Sequence, residues 1–140
     1  MDLRTVPTPQ AGIFALGTRY QHHLEFDLRD ASDAAVVAAV GALREPQVTA
    51  GATNLVVGFG KRLWQRIGTA DGVPEDLGDF AEVRGLDGHV APSTQHDLWV
   101  WVHGSGVDEV LDTSRARRGG IRGHRFARGR LPVLRVPRQP

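Results

Sequence analysis

The sequence predicts an α+β fold in which helices cover one face of a mostly antiparallel sheet, and three observations predict it. In "HHLEFDL" (His22–Leu28), Leu24, Phe26 and Leu28 alternate with His23, Glu25 and Asp27, the period of a half-buried strand. In "DLWVWVHG" (Asp97–Gly104), Leu98, Val100 and Val102 alternate with Trp99 and Trp101, so both faces are apolar and the strand is central or lies under a partner. Between Asp30 and Pro46, Val36, Val40 and Leu43 fall at i, i+4 and i+7, one face of a helix, with Val37 beside them.

The elements follow in order. "GIFALG" (Gly12–Gly17) is a short apolar run after Gln10, and the first strand comes next. Asp30 or Ser32 can cap the following helix, acids near its start suit the dipole, and Pro46 stops it. Gly41 weakens that helix slightly or allows close packing. "NLVVGFG" (Asn54–Gly60) is a β-branched strand closed by glycines. "KRLWQRI" (Lys61–Ile67) places Leu63, Trp64 and Ile67 on one face of a short helix. Pro74 opens another helical turn, with Leu77 and Phe80 as its apolar contacts. After the central strand, Val107, Val110 and Leu111 point inward from a second long helix whose pattern ends near Ala116. This order fits the ferredoxin-like βαββαβ unit, with the last strand missing and a basic tail in its place.

Charge divides the chain at the same point. Residues 1–114 hold all sixteen acids and eight bases, so they carry 8 − 16 = −8. Residues 115–140 hold nine arginines and no acid, so they carry +9, and the net charge of +1 hides the split. The expected organisation is a domain over residues 1–116 and an Arg/Gly/Pro-rich tail over residues 117–140. Absence of cysteine excludes disulfides and thiolate metal sites. The N-terminus has no apolar leader and no stretch reaches the roughly 20 apolar residues of a membrane span, so the expected location is cytoplasmic, with no membrane partner.

Four stretches, "PQAGIFALGTRYQHHLEFDL", "VVGFGKRLWQRI", "LGDFAEVRGLDGHVAPSTQHDLWVWVHG" and "VDEVLD", resemble in order and spacing the N-terminal half of the dye-decolourising (DyP-type) peroxidase family, over residues 9–114. The resemblance implies two ferredoxin-like halves, with haem b held mainly by the C-terminal one. That half supplies the proximal histidine, a distal aspartate in a GxxDG motif and a distal arginine. It further implies hydrogen peroxide and an organic electron donor, a dye or phenol, as partners. "RGLDG" (Arg84–Gly88) is the nearest match to GxxDG here, but Arg84 stands where the motif needs glycine. It also precedes the Asp97–Gly104 strand instead of following it, so Asp87-Gly88 reads as a turn. No catalytic, cofactor-binding or metal-ligating residue is therefore assigned, and the chain reads as truncated and inactive alone.

The tail reads as disordered or translated out of frame. Val136–Pro140 can be encoded so that dropping one base yields Tyr-Leu-Asp-Ser-Arg, which resembles the family's next motif. A nucleic-acid-binding arm is the competing reading, since arginines neutralise phosphates. The tail has no lysine, a single aromatic (Phe126) and the apolar run Leu131–Pro137, which disfavour it.

The remaining candidates have blander readings. His22 and His23 face opposite ways, and His89, His96, His103 and His124 lack ligand spacing, so each reads as solvated or hydrogen-bonded. Trp64, Trp99 and Trp101 could relay electrons to a haem but read as packing. Trp99 and Trp101 share a face that would cover a missing half or another subunit, making a homo-oligomer. A stand-alone dimeric module binding a small molecule between two sheets is thus the third reading. Gly58, Gly60 and Lys61 lack phosphate-loop spacing and read as a strand-end turn. Asp97 is either an edge charge or a buried hydrogen-bonding group.

Overall fold

The computed structural model describes residues 8–43, 53–122 and 126–128. Strand β1 (Tyr20–Leu28) leads into helix α1 (Asp33–Gly41), strand β2 (Asn54–Phe59) and helix α2 (Lys61–Ile67). A small hairpin of β3 (Val83–Arg84) and β4 (Val90–Ala91) precedes strand β5 (Leu98–Gly104), helix α3 (Val107–Arg122) and strand β6 (Phe126–Arg128). The main sheet has the order β2-β5-β1-β6, with every pair antiparallel. Numbered by turn in the main sheet, that is second, third, first, fourth, the ferredoxin-like order. β5 lies at the centre, as its two apolar faces predict.

One face of the sheet and three helices make the core. Leu24 and Phe26 of β1, Leu55 of β2, and Leu98, Val100 and Val102 of β5 are buried on that face. Val36 and Ala39 of α1, Leu63 of α2 and Val110 of α3 close over them. Each such side chain contributes about 1.5–3 kcal/mol on burial. Val37 is exposed, consistent with its place beside the helical stripe. Of the two candidate caps, Ser32 is the one used: its Oγ accepts from the Ala35 amide at 3.3 Å. Pro46 lies outside the described residues.

The outer edge of β2 is closed by a side chain. The Gln10 amide donates to the Val57 carbonyl and accepts from the Val57 amide, both at 2.8 Å, so one glutamine imitates a neighbouring strand. A 3-10 turn, Ala11–Phe14, then crosses beside β2. Its Gly12 is pressed so close that a Cβ there would lie 2.8 Å from the Leu55 carbonyl oxygen.

Three expectations are corrected. The turn opened by Pro74 does not become helical: the Leu77 amide reaches the Pro74 carbonyl at 3.1 Å and the chain goes no further, with Gly78 following and Phe80 exposed. Val107 is exposed, because it starts α3 ahead of the sheet; Val110 and Ser114, four apart, make the inward face instead. The sheet does not lack its last strand. α3 runs past Ala116 to Arg122, and Phe126–Arg128 pairs with Phe26–Leu28. Arginine is a good helix former, and an edge strand offers N–H and C=O groups that any backbone can meet, so neither feature leaves an apolar pattern. His124 and Leu131–Pro140 lie outside the described residues.

Candidate functional site

The face of the sheet turned away from the helices carries aromatic and ionisable side chains. Period-two alternation sends His23, Glu25 and Asp27 of β1 and Trp99, Trp101 and His103 of β5 to this side. Cross-strand register sets His23 opposite Trp101 and Glu25 opposite Trp99. The rings form one ladder. His23 stacks on Trp99 and Trp101 at 5.4 and 6.1 Å, and Trp101 stacks on His103 at 4.0 Å. Gly58 of β2 makes room for it: a Cβ there would come within 3.1 Å of the Trp99 ring.

The ladder runs from half-buried to fully buried. Trp99 and Trp101 are half-buried, while His103 has 0% exposure. Neither His103 ring nitrogen, nor Trp101 Nε1, nor Nδ1 of His22 on the opposite face, makes a hydrogen bond of full geometry among the described residues. Burial pushes the His103 imidazole below its ordinary pKa; the Gly12 backbone works against that shift and the His23 charge adds to it. Burial likewise lowers His22, helped by the charges of His23 and Arg118. His23 is lowered by burial and partly restored by Glu25.

At the far end of the face, His96 bridges two carboxylates, with Nδ1 3.0 Å from Asp27 and Nε2 3.5 Å from Glu25. Beside it, Asp97 is only 4% exposed. Its carboxylate accepts from the Leu28 amide at 2.7 Å and from Arg62 twice, Nε at 3.0 Å and Nη2 at 2.7 Å. Its own backbone joins Phe26 and Gly60. Asp97 is therefore the buried hydrogen-bonding group of the two alternatives, tying the end of β1, the start of β5 and the start of α2. Burial alone would raise its pKa, but the hydrogen bonds from Arg62 and Leu28 outweigh that and hold it below the usual carboxylate range. Arg62 lies 35 positions away, so no local spacing could have announced the pair.

The other candidates fall where packing puts them. Asp87 and Gly88 take left-handed conformations (φ 58° and 78°) at the tip of the β3–β4 hairpin, a turn as predicted. Gly60 is the N-cap of α2, and Gly58 lies within β2 near its end. Trp64, on α2, meets Phe59 at a tilt with ring centroids 5.1 Å apart and donates Nε1 to the Gly72 carbonyl, so its contacts are not those of the Trp99–Trp101 ladder. His89 is exposed. Among the described residues no group of three or more histidine or carboxylate side chains could hold a metal ion. No described helix is long and apolar enough to cross a membrane. A cleft of about 840 Å³ on the helical side is lined by arginine, aspartate, serine and apolar residues and by no histidine, so it does not offer haem iron an axial ligand. On the opposite face, His23 is held in the ring stack and His103 is enclosed.

The lowered histidines set a pH dependence. An unfolded chain protonates them near 6.5, while the folded chain resists, so below that value the unfolded state binds more protons and stability falls. Asp97 adds a second loss at lower pH, once acidification passes 3.8 and moves through its depressed folded pKa. Urea midpoints are expected to fall steadily from about pH 7.5 to pH 5. His103→Gln should flatten that slope, and a flat wild-type profile would refute this origin.

Comparison with known proteins agrees with the fold. The family model described as "Dyp-type peroxidase, N-terminal" matches residues 10–117. Among solved structures, a putative dyp-type peroxidase from Shewanella oneidensis superposes with a TM-score of 0.73 at 19% identity, covering 90% of this chain and 42% of that one. The encapsulated DyP-type peroxidase from Mycobacterium smegmatis gives 0.72 at 20%, covering 90% and 41%. A variant of DypB from Rhodococcus jostii RHA1 in complex with heme gives 0.69 at 23%, covering 89% and 41%. The chain thus spans about two-fifths of the length of these structures. Among curated proteins, none matches it in sequence.

Proposed function

This chain belongs to the Dyp-type peroxidase family through its N-terminal region, and we propose that it is the half of such a peroxidase that does not ligate the haem. The observation that carries the reading is the family match over residues 10–117, with a fold that accounts for about two-fifths of each haem-peroxidase relative. The chemistry of the described residues supports it. No described histidine lines the cleft, and of the two aspartates that do, Asp97 is committed to Arg62 and Leu28. Hydrogen peroxide reduction with oxidation of a dye or phenolic donor then requires iron ligation by a C-terminal half. In this reading residues 1–116 are the N-terminal half of such a peroxidase, the chain alone is inactive, and its setting is cytoplasmic.

The test is a hemin titration of the full chain followed at the Soret band, with a peroxide–dye assay on the same samples. The expected result is a broad, non-saturating absorbance and no turnover above free hemin. A sharp histidine-type Soret band with turnover would overturn the reading.

A second reading has its own support. Trp99 and Trp101 are half-buried and stack side by side on the sheet face that no helix covers, which favours a covering surface there. A homo-oligomer through the Trp99–Trp101 face would supply one. Binding of nucleic acid by the arginine-rich tail has no comparable support.

A further inference from the structure

We propose that the cleft between the β1–α1 connection and α2 binds a small organic carboxylate, its acid group on Arg29, Arg62 and Arg66 and its apolar body on the floor between them. The cleft lies on the helical side of the sheet, away from the aromatic face. Its volume of about 840 Å³ is in the range of small-molecule sites.

Two of the three guanidinium groups are already fixed. Arg62 spends Nε and Nη2 on Asp97, and Arg66 spends Nε on Asp33 (2.5 Å) and Nη2 on the Ala31 carbonyl (2.5 Å). Each keeps its Nη1 donors for a ligand, and groups held in place beforehand lose little freedom on binding. Arg29 is exposed and lines the same cleft. Asp97 lines the same cleft, but its oxygens are occupied by Arg62 and the Leu28 amide, so its repulsion of an anion is muted.

The charge balance is unusual for its surroundings. Residues 1–114 carry 8 − 16 = −8, yet three of their seven arginines line this one cleft; Asp30 and Asp97 line it with them and Asp33 pairs with Arg66, giving 3 − 3 = 0. A neutral cleft that presents three guanidinium groups repels an anion less than the acidic body around it. Below the rim, Leu28, Leu63, Ala31 and Ala35 make an apolar floor. An inorganic anion would leave that floor wet, and a neutral arene would leave the guanidinium groups without a partner. An arene carboxylate satisfies both, through paired N–H···O bonds and burial of its ring.

Isothermal titration of the full chain with benzoate tests this, with benzyl alcohol and inorganic phosphate as comparison probes. The expected result is one saturable benzoate site, with both comparison probes at least about tenfold weaker. Arg29→Gln should weaken benzoate about tenfold at an unchanged urea midpoint, because that residue is exposed. Ala35→Leu, which fills the floor, should abolish it. Absence of saturable benzoate binding, benzoate binding indifferent to both variants, or phosphate binding as tight as benzoate would each overturn the proposal. Hemin plays no part in these titrations, so their failure leaves the peroxidase-half reading where it stands.

Discussion

Gly60→Ala is expected to lower stability by about 3 kcal/mol, enough to leave much of the protein unfolded in mild urea. Gly60 has φ −68° and ψ 152°, which alanine adopts without strain, so its need for glycine is spatial. A Cβ there would sit 2.3 Å from the His96 carbonyl oxygen and 3.3 Å from the Asp97 Cα. Both are backbone atoms of the approach to β5 and cannot rotate away. The same residue donates its amide to the Asp97 carbonyl at 2.8 Å and accepts from the Trp64 amide at 2.9 Å. Moving it would disturb the start of α2 and, through Arg62, the Asp97 clamp. Gly41→Ala is the control: a Cβ there meets nothing within 4 Å, and alanine suits a helix better by about 0.5–1 kcal/mol. Urea midpoints should therefore move in opposite directions for the two variants. A Gly60→Ala midpoint equal to wild type would show that β5 and α2 are not locked at this contact.

What the sequence made legible was the part governed by period. β1 and β5 were readable because one face of each must be greasy, and β5 was placed at the centre because both of its faces are. The helix faces of Val36 and Leu63 were readable for the same reason. What was illegible depends on backbone or on distance along the chain. β6 is held by strand pairing that needs no particular side chains. Gln10 closes the β2 edge across 47 positions, and the Asp97–Arg62 pair spans 35. The cleft was hidden too, because Arg29, Arg62 and Arg66 come from two elements that only the fold brings together. Pro74 shows the opposite failure: a favourable first helical residue cannot make a helix when Gly78 follows and no apolar face continues.

Ending the chain at Ala116 is expected to cost roughly 2–4 kcal/mol, a large share of the stability of a domain this size. The cut removes three things. It deletes the last turns of α3 and the three-residue pairing of β6 with β1. It also deletes Arg117, whose Nη1 donates to the Ala42 carbonyl at 3.2 Å, at the C-terminal end of α1 where carbonyls lack helical partners. Arg118 goes as well, and with it one of the charges that hold the His22 imidazole down, so that histidine should titrate at higher pH in the shortened chain. A version ending at Arg128 keeps all of these groups and should match the full chain in urea midpoint and in His22 titration by NMR. Foreign origin of the tail and participation in the fold are compatible, because a sheet edge asks only for N–H and C=O groups in register. If the chain ending at Ala116 is as stable as the full one, the arginine-rich segment is outside the fold, as its composition alone implied. If it loses the expected stability while the version ending at Arg128 does not, the segment completes a ferredoxin-like sheet that would otherwise expose the edge of β1, and the half can stand folded before any C-terminal half arrives.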